Sequence, residues 1–101
     1  MANIHTNITE INCPDDSIVE QVIGYIKELF ECYTIDMDRG HCELEFASRG
    51  GFPIKEMQEM TDKINYPSLY IQVVTYELPN ESVEHHIYRS GKWTDKIAGK
   101  K

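Results

Sequence analysis

The hydrophobic period of this chain changes repeatedly along its length, and the order of those changes leaves few folds open. Ile18, Val19, Val22, Ile23, Ile26, Leu29, Phe30 and Tyr33 recur at spacings of three and four, the signature of a helix with one buried side. Asp15, Asp16 or Ser17 supplies its cap, and acids at the positive end of the helix dipole add a little stability. Gly24 interrupts this stretch, which predicts either close packing or a small local weakness. After Tyr33 the period drops to two. Thr34–Asp38 reads as a short strand, Asp38-Arg39-Gly40 as a hairpin turn, and His41–Ser48 as a second strand. In that strand Cys42, Leu44 and Phe46 share one face, with Glu43 and Glu45 on the other.

The rest of the chain continues the alternation. Residues 3–12 form a strand whose two faces are both mixed, Ile4, Thr6, Ile8 and Glu10 against His5, Asn7, Thr9 and Ile11. Pro53 opens a second helix with Ile54, Met57, Met60 or Thr61, and Ile64 as its apolar stripe. Leu69–Leu78 is a strand rich in β-branched and aromatic residues, apolar on both faces. Pro79-Asn80-Glu81 turns into a strand at Ser82–Arg89, Ser90-Gly91-Lys92 turns again, and Trp93 begins a last short pairing. The resulting order is β-α-β-β-α-β with a C-terminal hairpin. Right-handed crossovers leave room for a strand inserted between each parallel pair. The expected fold is therefore α+β, a ferredoxin-like split βαβ with a hairpin extension. Residues 1–94 form one domain and residues 95–101 a basic tail.

A chain of 101 residues, 41% hydrophobic, suffices for one core without staples. Its start has neither a basic nor an apolar signal region, no apolar run spans a membrane, and three cysteines make no C-x-x-C pair. The expectation is a cytoplasmic protein with reduced thiols, in which the Asn-x-Ser/Thr patterns at Asn7 and Asn80 carry no glycan. Charge is uneven. Residues 1–50 hold ten acids against three bases, whereas residues 51–101 hold seven of each. An acidic half opposes direct nucleic-acid binding, which depends on cations neutralising phosphates. It suits solubility or a basic protein partner.

Several segments together resemble the YubB-type ferredoxin-like family of small phage, plasmid and mobile-element proteins. They are Asn3-Ile4-His5-Thr6-Asn7 before a turn and helix, Leu44–Phe46 leading through Gly50-Gly51-Phe52-Pro53, the strand Leu69–Glu77, and Ile87-Tyr88-Arg89-Ser90-Gly91-Lys92-Trp93. The aromatic often found after Asn3 is Ile4 here, the turn glycine is Cys13, and the Trp common before the proline is missing. The resemblance implies the fold and a mobile-element origin, and assigns no chemistry.

The candidate sites follow from residue type and spacing. Glu43 and Glu45, with the aromatic and apolar positions Tyr70, Val74, Tyr76 and Tyr88, make a protein-binding surface, since aromatics are frequent anchors at interfaces. An acidic inhibitor that fills the nucleic-acid groove of a basic host protein is its concrete form. The alternative is a small-ligand or nucleotide module using Arg49, Gly50 and Gly51, where loop amides precede a helix, although the loop lacks a P-loop's Lys-Ser/Thr ending. No metal, cofactor or catalytic residue is expected. His41-Cys42 and His85-His86 are adjacent strand residues that point to opposite faces, and no base is spaced to activate Cys13 or Cys42. Two helices cover one sheet face only, so Tyr70, Val74 and Tyr76 predict a homodimer burying the other.

Overall fold

The changes of period become eight elements in the computed structural model, which describes residues 4–77 and 82–96. They are β1 (Ile4–Asn12), α1 (Asp16–Leu29), β2 (Glu31–Asp38), β3 (His41–Arg49), α2 (Ile54–Ile64), β4 (Tyr70–Glu77), β5 (Ser82–Arg89) and β6 (Lys92–Lys96). The strands form one sheet in the order β2-β3-β1-β4-β5-β6, with every neighbouring pair antiparallel. This α+β architecture is compatible with a ferredoxin-like fold. Leu78, the 79–81 turn and residues 97–101 of the expected tail lie outside the described residues. Asp95 and Lys96 belong to β6, so the pairing extends past the expected domain boundary.

One hydrophobic core joins both helices to one sheet face. Ile18, Val19, Val22 and Ile26 of α1 and Met57 and Met60 of α2 pack with Ile11, Cys42, Leu44, Phe46, Ile71 and Val73. Burying side chains of this size stabilises by about 1.5–3 kcal/mol each, before chain entropy is charged against it. The Asp15 carboxylate caps α1, accepting from the Ser17 amide at 2.9 Å and hydroxyl at 2.8 Å. These bonds, the hydroxyl first, hold the Asp15 carboxyl below its ordinary pKa.

Helix α1 ends earlier than its apolar spacing suggests. Phe30 takes extended geometry while its amide still donates to the Ile26 carbonyl, and its ring meets Phe46 at 4.8 Å. Tyr33 therefore belongs to β2, at a register irregularity between Cys32 and Thr34, and is exposed. No glycine marks this stop, so periodicity alone carries the helix too far. The hairpin turn behaves as expected. Gly40 has φ +63°, its amide donates to Asp16 Oδ1 at 2.6 Å, and its carbonyl accepts from Cys13. The C-terminal hairpin is tied to α2 by Trp93, whose Nε1 donates to Thr61 Oγ1 at 3.1 Å and whose ring packs on Phe52 and Tyr88.

The glycine inside α1 and the glycine of the β2–β3 turn make opposite demands. A Cβ at Gly24 meets nothing within 4 Å, whereas one at Gly40 falls 2.7 Å from the Cys13 carbonyl oxygen. Close packing is thus not the reason for Gly24, and the local-weakness reading holds. Gly24→Ala should raise unfolding free energy by about 0.5–1 kcal/mol, and Gly40→Ala should lower it by more than that. Denaturant unfolding of the two variants measures both.

Candidate functional site on the open sheet face

The helices leave one sheet face uncovered, and what lies there depends on which side of β1 turns inward. His5, Asn7, Thr9 and Ile11 face the helices, which puts Ile4, Thr6, Ile8 and Glu10 on the open side. The inward set is mostly polar and is fully used. Asn7 Nδ2 donates to the Phe46 carbonyl at 3.1 Å and to Ser48 Oγ at 2.9 Å, and Thr75 Oγ1 donates to Asn7 Oδ1 at 2.6 Å. Ser48 Oγ passes its own proton to the Gly51 carbonyl at 2.7 Å. His5 Nε2 sits 3.4 Å from Glu77 Oε1.

With β1 so oriented, cross-strand pairing collects the acids of the first half of the chain. Asp36 lies opposite Glu43, and Glu43 opposite Glu10. Glu45 stands two residues along β3 on the same face, and Asp38 lies opposite His41. Five carboxylates on three adjacent strands thus form one patch. Among the described residues, no Lys or Arg forms an ion pair with them. His41 stands among them, with Nε2 at 3.4 Å from Glu43 Oε2 and 3.8 Å from Glu10 Oε2. Its other nitrogen, Nδ1, is 2.8 Å from Asn12 Oδ1. Gln72 Nε2 holds the second Glu10 oxygen at 3.4 Å, and Tyr70 donates its hydroxyl proton to Gln72 Oε1 at 3.2 Å.

The other half of the face is mostly apolar, with His85 opposite Val74. Val74 lies opposite Ile8, and Tyr76 lies between Thr6 and Val83. Ile8 and Val83 are exposed, while Tyr70, Val74 and Tyr76 are half-buried. The face therefore brings together Glu43, Glu45, Tyr70, Val74 and Tyr76 of the expected binding surface. Tyr88 does not belong with them. It lies opposite Ile71, is only 4% exposed and packs against Trp93 on the helix side. Burial, with the Asp62 charge adding to it, pushes its hydroxyl pKa up. Alternation along β5 separates it from the open face, because Ile87, itself buried, takes the position on that side opposite Gln72.

The Arg49-Gly50-Gly51 loop has a different environment from a phosphate cradle. A Cβ at Gly51 would meet the Glu84 carboxylate at 3.0 Å, so an acid already stands beside the loop. Arg49 lines a groove of about 450 Å³ shared with Glu31 and Glu56 as well as Ile4, Leu29 and Phe30. Arg49 thus shares the groove with two carboxylates. Cys42 is buried on the helix side, where desolvation first, then the nearby Asp36 and Glu43 charges, pushes its thiol pKa up. Such a thiol is a poor nucleophile. The histidines are dispersed: His5 is buried beside Glu77, His86 stacks on Phe52 at 3.9 Å, and His41 alone stands among the acids.

Sequence reasoning missed Glu10, Asn12 and His41 as neighbours of Glu43. Their only signal is the β1–β3 register, which pairs Glu10 with Glu43 and Asn12 with His41. No protein-family model, curated protein or solved structure matches the chain. Among the described residues, no helix is long and apolar enough to cross a membrane.

Like charges directly opposite one another in a sheet destabilise it. Asp36→Asn should therefore raise stability by about 0.2–0.5 kcal/mol at low salt. The gain should shrink as added salt screens the pair. Urea titrations at two ionic strengths check both the sign and the salt effect.

Proposed function

We propose that this chain is a ferredoxin-like split βαβ domain with a C-terminal hairpin, of the YubB type found in mobile elements. It acts without catalysis, as a cytoplasmic accessory protein that binds a basic protein through its open sheet face. The observation that carries this reading is the patch of Asp36, Asp38, Glu10, Glu43 and Glu45, which has no Lys or Arg partner among the described residues. Concentrating carboxylates on a sheet costs stability through mutual repulsion, and a cationic partner repays that cost on binding. Potentials of this kind also speed encounter with an oppositely charged surface. The partner class is a nucleic-acid-handling or defence protein of the host. Its cationic groove, built for phosphates, accepts an array of carboxylates instead.

The neighbouring apolar area around Ile8, Val74, Tyr76 and Val83 has a separate role in this reading. A second copy of the chain covers it, giving a two-fold homodimer with the acidic patches left outward. Exposed contiguous apolar surface on a small domain marks such contacts.

Immobilised protein tests the partner claim with bacterial lysate. The expected result is capture of basic proteins that release when nucleic acid is added, or at about 0.5 M salt, where screening is nearly complete. Capture should fall at least about tenfold for the Glu43→Gln/Glu45→Gln double variant, a loss of about 1.4 kcal/mol or more. Capture unaffected by the double substitution, by salt and by nucleic acid would contradict the claim. Light scattering tests the assembly: a mass twice the 11.7 kDa of the chain, falling to one copy on Tyr76→Glu, is expected. A single-copy mass for the unmodified protein would refute the homodimer.

A further inference from the structure

We infer that Glu10, His41 and Glu43 form a binding site for a first-row divalent metal ion of the Zn²⁺ or Mn²⁺ class. The donor atoms are already gathered. His41 Nε2 is 3.4 Å from Glu43 Oε2 and 3.8 Å from Glu10 Oε2, and all three donor atoms lie within 4.8 Å of one another. In a tetrahedral site with bonds of about 2.0–2.1 Å, neighbouring donors stand about 3.3 Å apart. Small rotations of these partly exposed side chains close that difference.

Residues outside the trio aim two of its three donors. Asn12 Oδ1 can only accept, so at 2.8 Å it engages a proton on His41 Nδ1 and fixes the ring with Nε2 toward Glu43 and Glu10. Nε2 is therefore the ring atom that faces both carboxylates, the position from which it would ligate an ion held between them. Gln72 occupies Glu10 Oε1 and leaves Oε2 turned toward His41, while Tyr70 steadies Gln72. In metal sites the second nitrogen of a ligating histidine donates to a fixed acceptor and the ligating carboxylates are themselves hydrogen-bonded, the parts played here by Asn12 and Gln72. The Asp36, Asp38 and Glu45 carboxylates on the same face add negative potential.

Ligand chemistry selects the ion. One imidazole nitrogen with two carboxylate oxygens suits Zn²⁺ and Mn²⁺, whereas Ca²⁺ and Mg²⁺ take all-oxygen sets. Three protein donors leave at least one position for water or for a donor from a partner. Glu10 and Glu43 belong to both sites, but metal uptake by the isolated chain is read without any partner, so its failure is distinguishable from a failure of partner capture.

Isothermal titration of the full chain with ZnCl₂ and with MnCl₂, near neutral pH, tests the inference. The expected result is one ion per chain for at least one metal, with His41 ring resonances among those that shift or broaden. His41→Gln should weaken binding at least about 100-fold, and Asn12→Ala about 10-fold or more. Amide spectra of the two variants check that the fold is retained, and Glu10→Gln provides a second removal of a ligand. No uptake of either metal overturns the site. So does stoichiometric uptake that survives both His41→Gln and Glu10→Gln, because the ion would then sit elsewhere, for instance on a cysteine.

Discussion

The side-chain amide of Asn7 is the constraint on which the rest of this architecture depends. It lies in the middle of the sheet, wholly buried, with both donors and its acceptor engaged by β3 and β4. A buried amide left without partners costs about 1–3 kcal/mol, so each of these bonds penalises any other register. A slip of one residue would send Asn7 to the open face and bring Ile8 inward. Hydrophobicity alone would favour that exchange, since Ile4 and Ile8 are the more apolar set at this end of the strand. The polar network opposes it. Through Ser48 the same network reaches the Gly51 carbonyl, so the loop leading into α2 is fixed by the residue that sets the register of β1.

What faces outward follows from that choice. Glu10 can meet Glu43 and His41 only because Asn7, three residues earlier, points the other way. The result is an open face divided along the strands, with carboxylates over β2, β3 and β1 and apolar groups over β1, β4 and β5. The two halves favour different contacts. Desolvating Ile8, Val74 and Val83 favours burial against another apolar surface, while the clustered carboxylates repel one another and attract cations. Their proximity sets an apolar area beside an acidic one on the same face of a small domain with seven excess negative charges.

Much of this was legible in the residues. The α1 stripe, the alternation of Cys42, Leu44 and Phe46 with Glu43 and Glu45, and the Gly40 turn all declare themselves locally, because period and turn chemistry are local properties. The end of α1 was not legible. Phe30 leaves the helix to pack on Phe46, a contact far away in sequence. The inward face of β1 was also hidden, since both of its faces are mixed and long-range hydrogen bonds decide between them. Tyr88 shows the same limit from the other side. As an aromatic on an alternating strand it looked like a surface anchor, yet strand parity and Trp93 place it in the core. The acidic patch itself was half visible. Glu43 and Glu45 could be named from sequence, but Glu10 could not, and only pairing across three strands shows that the acids lie together.

Nuclear magnetic resonance of the Asn7 side-chain amide tests the central claim most directly. The predicted result is a pair of slowly exchanging Hδ2 protons, with cross-relaxation to the side chains of Ser48 and Thr75. An Asn7 amide that exchanges as fast as an exposed asparagine, with Ile8 instead showing contacts to the helix-side core, would contradict the account.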